Sequence, residues 1–325
     1  MLEKIPDSEK FEIKENFVQR YKELLGDRYS EFIDYSFAYI RKSIRVNTLK
    51  AEVKEITKRM EKNWILTAIP WCEEGFWIDY RAEAAEDKRY DIGNTLEHQL
   101  GYIYVQDAAS MIPPVVLEPM PGEVVLDMCS APGSKASQIA AMMQNKGLLI
   151  ANDLQSDRLK ALGINLQRTG VSNSLITQIA GYKYSRLKVR FDKVLVDAPC
   201  SGTGTIRRSL KTLTMWSPHL VKRMAADQKQ LIASGFEALK SGGVLVYSTC
   251  TMEPEENEAV VSWLLERHKD AKVEEIKLDI KRSPAITEFM GEKYNPEVKK
   301  CLRIWPQDND SEGFFVAKIR KLKNI

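Results

Sequence analysis

A mostly parallel, doubly wound α/β sheet, preceded by a small α+β unit, is the fold that this 325-residue sequence predicts. Three observations point to it. From residue 122 onward, short apolar runs alternate with segments whose apolar residues recur at helical spacing. Several of those runs end in an acid or a cysteine followed by small turn residues, as strands do where a sheet of this kind meets its ligand. The first hundred residues lack that rhythm and read as a unit of their own.

In the front unit, Phe17, Tyr21, Leu24 and Leu25 recur at helical spacing, and so do Phe32, Tyr35 and Tyr39. SIRVNTLK (43–50) alternates like a strand, and Val53, Ile56, Met60 and Trp64 mark one face of a helix. ILTAIP and GFWID read as two further strands. The unit is expected to close near residues 95–110, before Pro113-Pro114, dividing the chain into residues 1–110 and 111–325. In the second part EVVLDMC (123–129) is a strand, Ser134 to Met143 a helix, and GLLIANDL (147–154) the next strand. A helix runs through Leu159, Leu162 and Leu166, followed by strands NSLITQIA (173–180) and DKVLVDAPC (192–200). A helix over 222–240, the strand GGVLVYSTC (242–250), a helix from Asn257 to Arg267 and a final strand GFFVAKIR (313–320) complete the pattern.

Composition narrows the function classes. Hydrophobic residues make up 44% and charged residues 29%, a globular profile. No apolar run is long enough to span a membrane, and the N-terminal residues carry no apolar signal core, so a cytoplasmic location is expected. The formal net charge of +3 is too small to demand a polyanionic partner, although a local basic patch is compatible with it. The five cysteines (Cys72, Cys129, Cys200, Cys250, Cys301) are widely spaced and include no CxxC pair, which argues against a zinc site or a secreted disulfide framework. The three histidines are scattered, and no metal site is expected.

The chemistry concentrates at strand ends. The first strand is followed by Asp127-Met128-Cys129-Ser130-Ala131-Pro132-Gly133-Ser134-Lys135, whose small residues let the backbone approach a ligand beside a helix N-terminus. By itself this also describes an ordinary tight turn. Asp153 ends the second strand, where an acid accepts from both ribose hydroxyls of a nucleoside; the competing reading is a helix cap. Arg158 lies one turn further on, either backing that site or on a solvated helix face. The fourth and fifth strands end Asp197-Ala198-Pro199-Cys200 and Ser248-Thr249-Cys250-Thr251, which places two thiols over one crevice. Thiolate is a strong soft nucleophile toward an electron-poor ring carbon. A free thiol of pKa ~8.5 is mostly protonated at neutral pH, so the site must stabilise the anion or remove the proton. Lys135 and Asp197, both in strand-end turns, are the candidates for that work.

With these segments in view, LDMCSAPGSKASQ, ANDLQSDRL, FDKVLVDAPCSGTG, GGVLVYSTCTMEPEENE and RIWPQDNDSEGFFVAKI, the chain resembles the Sun/Nol/Nop family of RNA cytosine-5 methyltransferases. SIRVNTLK and GYIYVQDAASM match the family's upstream elements. The resemblance implies a Rossmann-like class I methyltransferase domain and S-adenosylmethionine as cofactor. It implies Cys250 as the nucleophile toward C6 of cytosine and Cys200 as the thiol that assists breakdown of the adduct. Asp197 would contact the cytosine edge and the cofactor side of the pocket, and Lys135 would hold the base. Cys129, Ser130, Ala131, Pro132, Gly133, Ser134 and Lys135 would wrap the methionine end of the cofactor, with Asp153 on the ribose and Arg158 nearby. One departure is Ala180, in Gln178-Ile179-Ala180-Gly181, where family members often carry an acid; adenine contacts there fall to backbone, Gln178 or water.

The stretch 183–223 carries Lys183, Arg186, Lys188, Arg190, Lys193, Arg207, Arg208, Lys211, Lys222 and Arg223 against Asp192 and Asp197. With Trp216 as a stacking ring, it would suit phosphate and base contacts with single-stranded RNA. The remaining tryptophans, Cys72 and Cys301 read as packing residues, and Glu253-Pro254-Glu255-Glu256 as acids placed at a helix start. The expected substrate is tRNA, favoured over ribosomal RNA by the compact chain, with the protein acting as a monomer on neither DNA nor membranes. A DNA cytosine-5 methyltransferase would use Cys200 as its nucleophile and leave Cys250 without a role. A non-catalytic ribosome-assembly factor would not need both thiols.

Overall fold

The computed structural model describes residues 2–81 and 91–323. Two helices, α1 (Glu15–Leu25) and α2 (Tyr29–Ser36), come first. A four-stranded antiparallel sheet follows, built from β1 (Ser43–Val46), β2 (Trp64–Ile69), β3 (Cys72–Tyr80) and β4 (Ile103–Val105) in the order β2-β3-β1-β4. Helices α3 (Val53–Met60) and α4 (Leu96–Gln99) connect its strands. Ile56 and Met60 point into the core as the spacing predicts, but Trp64 opens β2 instead of closing the helix, and Tyr39 lies past the end of α2 in the open.

Helix α5 (Ile112–Leu117) holds Pro113 and Pro114 in its first turn, where a missing N–H costs nothing. Beyond it lies the large sheet. Strands β5 (Val124–Asp127), β6 (Leu148–Asn152), β7 (Ser174–Thr177), β8 (Phe191–Asp197) and β9 (Leu239–Thr249) are mutually parallel, with helices α6 (Ser134–Met142), α7 (Ser156–Thr169), α8 (Lys211–Met215) and α9 (Pro218–Glu237) between them. Helix α10 (Glu258–Arg267) leads to β10 (Ala271–Glu274), the small hairpin β11 (Glu288–Phe289) and β12 (Glu292–Lys293), then β13 (Leu302–Ile304), α11 (Pro306–Asn309) and β14 (Phe314–Lys321). The sheet order is β10-β14-β9-β8-β5-β6-β7, with β13 also paired to β14. The C-terminal strand runs antiparallel to β9, and β10 and β13, short and without a strong alternating pattern, were not legible in the sequence. The third predicted strand is shorter than expected, because Gln178–Gly181 leaves the sheet toward the crevice.

The two parts are knit together by side chains. Phe17, Tyr21 and Phe32, from the front helices, pack with Trp216, Met252 and Trp305 of the second half. Phe17 and Tyr21 stack at 4.1 Å and Trp216 meets Phe17 edge-on at 5.1 Å, contacts worth about 0.5–1.5 kcal/mol each beyond their buried area. Arg45 of β1, buried, donates to Ser137 Oγ at 2.9 Å and to the Ser134 carbonyl at 2.9 Å, anchoring the small sheet to the first turns of α6.

Candidate active site

The strand order turns back between β5 and β8, and two adjoining cavities lie at the carboxyl ends of the strands there. The turn after β5 is their shared wall. Met128 and Cys129 line the first cavity, Ala131, Pro132, Ser134 and Lys135 line the second, and Arg158 touches both. Gly133, at φ 104°, caps α6 in a conformation that a side chain would resist, and so aims the helix start at the crevice.

The first cavity, about 320 Å³, is lined mainly by apolar side chains, among them Met128, Leu154, Met224 and Leu231, with Ala180, Gly181 and Tyr182. Asp153 is the carboxylate at its edge. Its Oδ2 accepts from the Ala131 N–H at 3.2 Å and its Oδ1 from the Gln155 N–H at 3.1 Å, so the cap reading and the ligand reading coexist. Each oxygen keeps a lone pair free. Arg158 bonds the Ala131 carbonyl and lies 3.4 Å from Asp153, which fixes the turn. Gln178 faces away and donates to the Leu154 carbonyl, leaving backbone and the Ala180–Tyr182 segment on that wall. Asp127 and the Ser130 hydroxyl are buried beneath the turn without an aligned hydrogen-bond partner. Burial pushes the Asp127 carboxyl up to about 7, against the pull of Ser130, with Asp197 and Asp153 adding to the rise. An apolar slot, a carboxylate with spare acceptors and orphaned polar groups under a helix start together fit a nucleoside carrying a charged tail, as S-adenosylmethionine does.

The second cavity, about 540 Å³, has Cys250 in its wall. Lys135 Nζ sits 2.8 Å from Asp197 Oδ2 and donates to Ser110 Oγ at 2.8 Å, while Ser248 Oγ donates to Asp197 Oδ1 at 2.7 Å. The Lys135 ammonium also lies 5.6 Å from the centre of the Phe314 ring. The two thiols are 3.3 Å apart. The hydrogen bond from Cys200 lowers the Cys250 pKa, with help from Lys135 and Arg208 and against burial and Asp197. That same bond, then burial and Glu256, holds Cys200 well above the ordinary thiol range. The pair is thus polarised so that Cys250 is the thiol that ionises more readily. Cys129 is raised by burial, and Cys72 and Cys301 are buried, as packing residues should be.

The structure brings the predicted residues around one crevice, corrects two expectations around them and sharpens a third. Trp216 is no base platform: it is 1% exposed and donates its indole N–H to Glu253 Oε1 at 2.9 Å. Three members of the basic run are committed elsewhere, Arg207 to Asp310 at 2.7 Å, Arg208 to Glu312, and Lys193 to the Leu117 and Glu118 carbonyls, while Lys183, Arg186, Lys188, Arg190, Lys211, Lys222 and Arg223 stay exposed. Glu253 and Glu256 do stand at a helix start, as N-cap and in the first turn, but both are also buried and bonded to distant parts of the chain. Sequence reasoning also missed Asp107, Arg208 and Glu312 as cavity-lining groups. The signal for Asp107 and Glu312 was their presence in GYIYVQDAASM and RIWPQDNDSEGFFVAKI, and Arg208 had been read only as a member of the basic run.

Comparison with known proteins agrees with this arrangement. Residues 114–320 match the family described as 16S rRNA methyltransferase RsmB/F, and residues 13–108 match the N-terminal domain of 16S rRNA methyltransferase RsmF. The chain belongs to the RsmB/F methyltransferase family. Within it, the chain is 47% identical over 312 residues to a tRNA (cytosine(49)-C(5))-methyltransferase of Pyrococcus abyssi, covering 95% of this chain and 96% of that one. It is 44% identical to ribosomal RNA small subunit methyltransferase F of Shewanella piezotolerans, covering 96% of this chain but only 64% of that longer one. Among solved structures, a methyltransferase homolog protein from Pyrococcus horikoshii superposes with a TM-score of 0.84 at 38% identity over 95% of both chains. NSun6 from Pyrococcus horikoshii, solved with SFG, an S-adenosylmethionine analogue, superposes at 0.81 with 26% identity, over 96% of this chain and 99% of that one. RsmB/F membership accounts for the mostly parallel sheet, and the first cavity is the place where its S-adenosylmethionine fits.

Proposed function

We propose that this protein methylates C5 of a cytosine in tRNA, through a covalent bond between Cys250 and C6 of the base. The observation that carries the reading is a thiol in the wall of a cavity that adjoins a nucleoside-sized one, with a second thiol 3.3 Å behind it. Residues 111–325 form the methyltransferase unit in this reading, and residues 1–110 an RNA-binding unit acting with the exposed cations of 183–223. The relative that is matched over nearly its full length is a tRNA enzyme, which favours tRNA. Ribosomal RNA is the second reading, supported by the family description and the longer bacterial relatives. Among the described residues no helix is long and apolar enough to cross a membrane.

S-adenosylmethionine, when bound, supplies an electrophilic methyl group. Asp153 would accept from its ribose, the apolar wall would take the adenine, and the turn from Cys129 to Ser134 would enclose the amino-acid end. The target cytosine leaves its stack at a cost of a few kcal/mol and enters the second cavity. Lys135 and Asp197 hold it. Cys250 attacks C6 as the thiolate, so that electron density moves from the C5–C6 bond into the ring and C5 becomes nucleophilic. After methylation a water or Cys200 takes the C5 proton, the C5–H electron pair re-forms the C5–C6 double bond, and the Sγ–C6 bond breaks with its pair returning to Cys250, a release that Cys200 assists from its position beside the leaving sulfur.

Methyl transfer from labelled cofactor to tRNA, ribosomal RNA and DNA tests the reading. Transfer to tRNA is expected, abolished by Cys250→Ala, and Cys200→Ala is expected to accumulate a protein–RNA adduct on a denaturing gel. If Cys250→Ala stays active while Cys200→Ala is dead and free of adduct, the roles are reversed and the reading fails. Bisulfite sequencing of the RNA then locates the base.

A further inference from the structure

Two buried carboxylates in the second cavity have no part in the reaction as described. Asp107 is 5% exposed and Glu312 is 4% exposed, and both line the cavity together with Cys250 and Arg208. Backbone geometry holds Glu312 there. The Gly313 N–H donates to the Gly204 carbonyl at 3.0 Å, and the Gly204 N–H donates to the Cys250 carbonyl at 3.0 Å, so the chain beside Glu312 is clipped to the nucleophile's own strand end. The approach is so close that a Cβ on residue 204 would lie 2.1 Å from the Gly313 oxygen.

Charge balance at this corner is incomplete. Arg208 forms an ion pair with Glu312, and it is the cation that faces both acids. Arg207, the next cation toward Asp107, is already paired to Asp310. Asp107 receives the Ala109 N–H at 2.8 Å, and Glu312 Oε1 has Arg208 Nε as its one partner among the described residues. Two neighbouring carboxylates out of water against one guanidinium cannot both stay ionised cheaply. Burial raises both, the Glu312 carboxyl well above its usual range, with Asp107 and Cys250 adding to that rise and Arg208 and Lys135 opposing it.

Thiolate addition to C6 creates a need that such a pair meets. As Sγ–C6 forms, the C5–C6 π electrons move to C4–C5 and the C4–N3 pair moves onto N3, which must take a proton. Asp197 already receives Lys135 and Ser248 on its two oxygens, so it offers acceptors to the cytosine amino group and no proton to N3. Lys135 is bound to Asp197 and Ser110, and Asp197 strengthens its hold on its protons; a guanidinium does not give one up at all.

We propose that Asp107 and Glu312 hold one proton between them and donate it to N3 of the target cytosine as Cys250 adds to C6. This rests on the reading of the cavity as the base pocket. The step leaves the pair doubly ionised against Arg208, and N3 returns the proton when the adduct collapses to product. The same donor rejects uracil, whose N3 carries a hydrogen and accepts none.

Glu312→Gln keeps the shape and a hydrogen-bond donor but cannot transfer a proton. It is expected to lower kcat for methyl transfer about 10²-fold with KM for RNA little changed, and to remove the decline of kcat with rising pH that titration of the pair produces. Asp107→Asn is the second variant, read in the same assay. Difference infrared spectroscopy of the free protein should show a protonated-carboxyl band that Glu312→Gln or Asp107→Asn removes, a readout that does not depend on turnover. A wild-type rate and unchanged pH profile in both variants, or no such band, overturns the proposal while Cys250→Ala remains dead. An active Cys250→Ala instead overturns the reading of the cavity on which the proposal stands.

Discussion

The short segment from Thr249 to Glu253 separates two kinds of buried acid. On one side, Glu253 is fully buried and receives Arg20 Nε at 2.7 Å, Tyr21 Oη at 2.8 Å and Trp216 Nε1 at 2.9 Å. On the other side, Asp107, Glu312 and Asp127 are about as deeply buried with fewer donors, the Ala109 N–H on Asp107, Arg208 on Glu312 and none aligned on Asp127. A buried carboxylate that is fully bonded holds the fold together, here by pinning α1 against the strand end that carries Cys250. One left short of donors costs stability and is kept for what it does to a ligand or a proton. The two sides therefore answer to different measurements, stability for the first and chemistry for the second.

The largest effect separates them at once. Cys250→Ala is expected to reduce methyl transfer by on the order of 10⁴-fold or more with little change in melting temperature, because the side chain lines a cavity and packs only in part against the core. A variant that melts early would place Cys250 with the structural group. Next, Glu253→Ala is expected to destabilise by about 3–5 kcal/mol in urea titration, since it strands the Arg20 guanidinium and two further donors in the interior. A change below about 1 kcal/mol would mean that the network is decoration.

Asp127 tests the other side by pH. Its folded pKa of about 7 lies above the model-compound 3.8, so between those values the folded chain keeps a proton that the unfolded chain has lost. Stability from this group is complete below about 4 and drains away as pH rises toward 7. Asp127→Asn should therefore flatten the fall in melting temperature between pH 5 and pH 8, by on the order of 2 kcal/mol at the upper end. An unchanged slope would show that Asp127 is satisfied after all. The smallest expected effect is at Asp153. Asp153→Asn should weaken binding of S-adenosylhomocysteine about 10-fold, near 1.4 kcal/mol by calorimetry, with an intact melting transition. Loss of folding instead would assign Asp153 mainly to its caps on Ala131 and Gln155.

Strand-end turns were legible because their composition is dictated locally. Asp127-Met128-Cys129-Ser130-Ala131-Pro132-Gly133 can only be a tight turn into a helix, and the apolar runs before Asp153, Cys200 and Cys250 can only be buried strands. Trp216 was misread, and the burial of Glu253 missed, for the opposite reason. A charged stretch around a tryptophan and an acid run before a helix have plausible surface roles, and nothing nearby in sequence announces that the two side chains meet each other and Tyr21 in the interior.

By itself, the sequence determined the alternating strand and helix pattern, the turn beside α6 and the two thiols at strand ends, because backbone preference and burial periodicity act over a few residues. Only the tertiary structure decided that the two sulfurs stand 3.3 Å apart, that Lys135 reaches Asp197 at 2.8 Å, and that Asp107 and Glu312 share one corner. Those distances depend on strand order and on loops that meet across the sheet, and pairing between segments far apart in the chain leaves no period in the sequence for a reader to follow.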